Sequence, residues 1–130
     1  MGLEEKRKIK EYQDTIVPGR RKELAELTGC DIAYEVDWDS FTDDLTAINF
    51  FDNLAFHHVN MAMRYLNPDQ TVKDAIKEGL KVIRLKNVKE KKDMKISMSG
   101  GVLEMHCAYG QRLDGIYKAT EIEKIVKQGL

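Results

Sequence analysis

His57 and His58 are the side chains in this 130-residue sequence whose types most readily suggest chemistry. Imidazole binds zinc and moves protons near neutral pH. Adjacent residues on a helix point about 100° apart, however, so the two rarely share one ion. A helical zinc pair needs i, i+4 spacing, and the positions four away are Asn53, Leu54, Met61 and Ala62. No metal site is expected. His58 shares its stripe with Leu54, Ala55 and Ala62 and reads as a hydrogen-bonded residue of a core or interface. His57 lies nearer Asn53 and Asn60 and reads as lining a cleft.

His106 and Cys107 sit next to each other on a predicted strand, so they point to opposite faces and cannot form a nucleophilic dyad. Cys107 follows Leu103 and Met105 on the apolar side and reads as a buried thiol; His106 shares the polar side with Glu104. Cys30, just after a predicted helix end, is the more reactive candidate. Asp37, Asp39, Asp43 and Asp44 lack the spacing of a calcium loop, and helix capping accounts for most of them. The basic stretch Lys81–Lys95 contains no aromatic residue on which a base could stack, and the sequence pI is near 6.3, so nucleic acid is not the expected partner. No phosphate-cradling glycine loop, nucleophile elbow, zinc-protease motif or paired-cysteine motif occurs, and no cofactor is implied.

With 42% hydrophobic and 33% charged residues, the chain is too apolar for disorder, and it has no apolar run of membrane-spanning length. The charged start Met1–Arg7 leads into no apolar segment, so a cytoplasmic protein with reduced cysteines is expected. One domain, 1–130, fits the length, with 1–17 as a possible helical arm. The net charge of −1 conceals segregation. Residues 23–63 carry nine acidic groups and no Lys or Arg, whereas residues 64–95 carry ten basic and five acidic groups. Either the blocks face each other within one fold or they orient a partner.

These residues need elements to position them. Ile9, Tyr12 and Ile16 suggest a helix to about Val17, which Pro18-Gly19 punctuates; Leu24 and Leu27 mark a second helix that Gly29 stops. Ile32, Tyr34, Val36 and Trp38 alternate as a strand. Ser40 is placed to cap a long helix, 40–66, with a break near Asn49 and apolar residues on most azimuths. Asn67-Pro68 opens a short helix that ends at Gly79. Strands follow at 80–88, 94–98 and 103–109, with a hairpin turn at Ser99-Gly100-Gly101. Thr120 and Glu123 suggest a capping box for the last helix.

The order α-α-β-α-α-β-β-β-α predicts an α+β fold, with an antiparallel sheet of about four strands covered by helices on one face. For function, the sequence suggests a non-enzymatic protein acting through self-association or protein partner binding, in an adaptor, inhibitor or immunity-like role. A homodimer would form through Phe50, Phe56 and Met63 of the long helix. The other expectation is a ligand-binding or enzymatic domain with a pocket between the sheet and helix 40–66, near His57, Tyr34, Trp38 and Tyr109.

Overall fold

The computed structural model describes residues 2–130. Four strands, β1 (Ala33–Asp37), β2 (Val82–Asn87), β3 (Lys95–Ser99) and β4 (Val102–Cys107), form one sheet in the order β1-β2-β4-β3. The class is α+β. The sheet is mixed rather than antiparallel: β1 pairs β2 in parallel, β2 pairs β4 in parallel, and only β3 and β4 are antiparallel. The reason lies in the connections. All the helix between β1 and β2 forms a crossover, which returns the chain in the same direction. The Gly100-Gly101 hairpin sets β3 and β4 antiparallel, and β4 rather than β3 pairs with β2.

The helices are α1 (Leu3–Glu11), α2 (Val17–Thr28), α3 (Leu45–Phe51), α4 (His57–Leu66), α5 (Gln70–Gly79) and α6 (Ala119–Gly129). Two of the expected breaks fall elsewhere. Pro18-Gly19 does not interrupt the first helix; α1 runs through a π turn, Tyr12–Ile16, straight into α2. Proline has no N–H for the carbonyl four residues back, and the widened turn ahead of it takes up the ring without ending the helix. The long helix opens at Leu45, where Asp44 rather than Ser40 caps by accepting the Ala47 N–H at 3.1 Å. Its irregularity is a second π turn, Asp52–Phe56, joining α3 to α4. Caps also shift at α5, where Asp69 accepts from Thr71 and Val72, and at α6, where the Glu121 carboxylate accepts the Lys118 N–H.

Period-2 patterning sorts the sheet's two faces. Tyr34, Ile83, Leu85, Leu103, Met105 and Cys107 point under the helices and are buried. The opposite face carries Glu35, Asp37, Arg84, Lys86, Glu104 and His106, which line a shallow open groove of ≈ 390 Å³. Between the helices and the strand ends sits an aromatic cluster. Phe51 packs against Phe41 with ring centroids 4.5 Å apart, Phe56 at 4.9 Å, Tyr109 at 5.0 Å and Tyr12 at 5.4 Å. Such contacts add to the stabilisation from burying so much ring surface. Ile9 and Tyr12 are part of this core, so the first helix is docked on the domain from its second turn onward.

The charge segregation resolves into pairs within the chain. Glu35 meets Arg84, Asp31 meets Arg21, Asp43 meets Lys89, and Asp52 meets Arg20. The acidic middle block is therefore flanked by the two basic blocks, and much of its charge is spent internally.

Tyr12 ties the two irregular helices together. Its hydroxyl accepts the backbone N–H of Asp52 at 2.8 Å, where the second π turn begins. A side chain inserted into the backbone ladder is a known cause of such helix irregularities. Tyr12→Phe leaves that amide without its partner and should cost about 1–2 kcal/mol of stability. Urea denaturation with unchanged helix content before the transition checks it.

Candidate functional site

Asn60, on α4 one turn beyond the second π turn, faces α2. Asn60 is 3% exposed, and all its polar capacity is engaged. Its Nδ2 donates to the Glu23 carboxylate at 2.7 Å and to the Arg20 carbonyl at 3.2 Å; its Oδ1 accepts from the Tyr34 hydroxyl at 2.5 Å. Arg20 completes the network. It donates from Nε and Nη2 to the two oxygens of Asp52 at 2.8 and 3.2 Å, and from Nη1 to Glu23 at 3.0 Å. Two-point guanidinium–carboxylate pairing fixes geometry as well as charge.

This network is the floor of a groove of ≈ 400 Å³ between α2 and α4, lined by Arg20, Glu23, His57, Asn60, Met61, Arg64 and Tyr65. The hydrogen bond from Asn60 and the Arg20 guanidinium hold the Glu23 carboxyl below the ordinary carboxylate range. The bond to Asp52 strengthens Arg20's hold on its proton. Burial pushes the Tyr34 and Tyr12 hydroxyls up, so both stay protonated donors or neutral acceptors. The floor is thus rigid, charged and internally satisfied. The rim differs. Arg64 makes no ion pair among the described residues, His57 is exposed, and Tyr65 keeps 48% of its surface in water.

Of the four residues expected around a pocket, only His57 lines this groove. Tyr34 lies behind it, bonded to Asn60, and Trp38 and Tyr109 belong to the aromatic core. The space between sheet and long helix is filled by these rings. The Tyr109 hydroxyl is buried against the Cys107 thiol, with no oxygen or nitrogen partner among the described residues. Of the three residues expected on an association face, Phe56 and Met63 are 0% and 1% exposed and pack inside the monomer. Phe50 alone reaches the surface, half-buried, with the Arg112 guanidinium 4.4 Å from its ring centroid. The helix that looked apolar all round is covered on one side by the sheet and on the others by α2 and α6.

His58 points away from the groove toward α6, and its Nδ1 is buried without a partner among the described residues. Burial, then the neighbouring His57 and Lys118, hold its pKa below the usual imidazole value. No cluster of three His, Cys, Asp or Glu side chains suited to a metal occurs among the described residues. Nor is any helix among them long and apolar enough to cross a membrane. Cys107 is buried, and burial pushes its thiol up to about 11, which keeps it unreactive; Cys30 is half-buried.

Arg20, Glu23, Asp52, Arg64 and Tyr65 were not singled out from sequence. The signal lay in His57, Asn60 and Arg64, which make a polar stripe on an otherwise apolar helix and call for a polar partner on whatever packs there. Comparison with known proteins adds nothing to this geometry: no family model, curated protein or solved structure matches the chain.

Two outcomes follow. Asn60→Ala leaves the buried Tyr34 hydroxyl and the Arg20 carbonyl without partners and should cost about 2–3 kcal/mol, read as a lowered denaturation midpoint. On acidification, His58 is neutral in the fold but gains a proton in the unfolded chain. Stability should therefore be full above about pH 6.5 and decline below it. His58→Gln should reduce that decline, leaving the part contributed by His106, whose pKa burial also lowers. Glu23, whose pKa is lowered, adds a separate loss as pH falls through the carboxylate range; Glu23→Gln should shrink that second decline, to which Asp31 and Asp43 also contribute, read in the same titration of melting temperature.

Proposed function

We propose that the chain is a non-enzymatic recognition domain that binds a protein partner through the groove between α2 and α4. The observation that carries this reading is the contrast between floor and rim. The floor is locked by Arg20, Asp52, Glu23 and Asn60, whereas Met61, Arg64 and Tyr65 stand above it with solvent-facing surface and, for Arg64, no ion-pair partner among the described residues. Tyr, Arg and Met are the types enriched at the centres of protein interfaces, because they offer large contact area with few lost degrees of freedom or with adaptable shape. A rigid floor reduces the ordering cost of binding.

The charge on the rim selects the partner. Arg64 and His57 favour a segment carrying a carboxylate, and Met61 and Tyr65 favour an apolar or aromatic side chain beside it. The sheet's outer face is a poorer candidate, since its Arg84 and Lys95 are already matched by Glu35 and Glu104.

A photo-crosslinking amino acid placed at Tyr65 in cells of the native host tests the reading. A discrete crosslinked protein is expected, lost on Arg64→Glu and unaffected by Lys86→Glu on the sheet face. Crosslinks that survive Arg64→Glu, or that form only from a probe at Lys86, would overturn it. With the partner in hand, Tyr65→Ala should weaken binding by about 2 kcal/mol, roughly thirtyfold in Kd, measured by calorimetry.

A further inference from the structure

The sheet has two open edges, β1 and β3, and they are not equivalent. An open edge presents unpaired backbone N–H and C=O groups and invites another strand unless something discourages it. At β1 the outward side chains are Ala33, Glu35 and Asp37. An antiparallel pairing of β1 with a second copy about its central residue sets Glu35 directly against Glu35, with Asp37 on either side. Like charges directly opposite on neighbouring strands are unfavourable. The β1 edge is closed to itself by charge.

The β3 edge is the reverse. Its outward side chains are Lys95, Ser97 and Ser99, and its inward ones are Ile96 and Met98, both only partly covered. Antiparallel self-pairing centred on Ser97 sets Ser97 against Ser97, Lys95 against Ser99, and Ile96 against Met98. No charge meets its like. Both apolar residues, whose partial exposure is unexplained in a monomer, gain a partner on the covered face of the sheet.

α6 packs over β3, where a Cβ at Gly129 would overlap the Met98 side chain. Ile96, Tyr117 and Ile125 line a groove of ≈ 340 Å³ there, flanked by Glu121 and Lys124.

We infer that the occupant of the β3 edge is a second copy of this chain, giving a two-fold dimer with a continuous eight-stranded sheet. This association is separate from the α2–α4 groove, which stays open on each copy. It also places self-association on the sheet edge rather than on the long helix.

Sedimentation velocity of the full chain across the micromolar range tests it, with two variants. The wild type is expected at twice the 15.0 kDa chain mass. Ser97→Lys, which sets lysine against lysine at the axis while its side chain stays on the solvent face, is expected at the monomer mass with unchanged circular dichroism and melting temperature at low concentration. Ser97→Cys should crosslink quantitatively between copies under mild oxidation, because residues opposite at the axis lie within disulfide reach. A wild type that stays monomeric overturns the inference. So does a dimer that Ser97→Lys leaves intact, or that Ser97→Cys fails to crosslink.

Discussion

The Asp52 residue is where the first and second long helices are joined, and the rest of the molecule depends on that junction. Its backbone N–H is taken by the Tyr12 hydroxyl and its carboxylate by the Arg20 guanidinium. The first contact joins the opening residues of the two π turns, and the second adds a two-point ion pair between the same helices. Tyr12 is 1% exposed, so its hydroxyl would be costly to leave alone, and the Asp52 amide satisfies it. From this junction Arg20 reaches Glu23, Glu23 reaches Asn60, and Asn60 reaches Tyr34 on β1. A single polar chain thus runs from the N-terminal helix through the long helix to the sheet.

Local patterns were legible in the sequence, and long-range partners were not. The strands appear where Tyr34, Ile83, Leu85, Leu103 and Met105 alternate with polar residues, because a half-buried strand imposes a period of 2 on its own few residues. Whether β4 lies beside β2 or beyond β3 is decided by distant packing, and alternation is blind to it. Pro18-Gly19 marks a break in most sequences. Here the π turn ahead of it takes up the ring, and the Tyr12 side chain at its start bonds the Asp52 N–H, forty residues away. The groove was legible only in part: His57 and Asn60 read as the side of a cleft, but its other wall, Arg20 and Glu23, appears only once α2 is laid against them.

Segregated charge along the chain left two arrangements open, blocks that face each other within the fold or blocks that orient a partner. Folded, most of the acidic block meets arginine or lysine of the same chain, and what is left over is more informative than the total. Arg64 beside Tyr65 is left over at the groove, and the β3 edge is left free of the acidic residues that close β1. Two surfaces with different chemistry therefore coexist. One is a rigid-floored groove, proposed to take an acidic segment of a partner, and the other is a strand edge, proposed to pair with its own copy.

The central element of this organisation is the clamp at Asp52, and amide hydrogen exchange resolved by residue measures it most directly. The Asp52 N–H should exchange only through global unfolding, as slowly as the amides of β2 and β4, because the Tyr12 hydroxyl holds it inside the core. Fast exchange at Asp52, together with fast exchange along Leu3–Thr28, would mean that the first helix swings free and that the groove has no fixed floor.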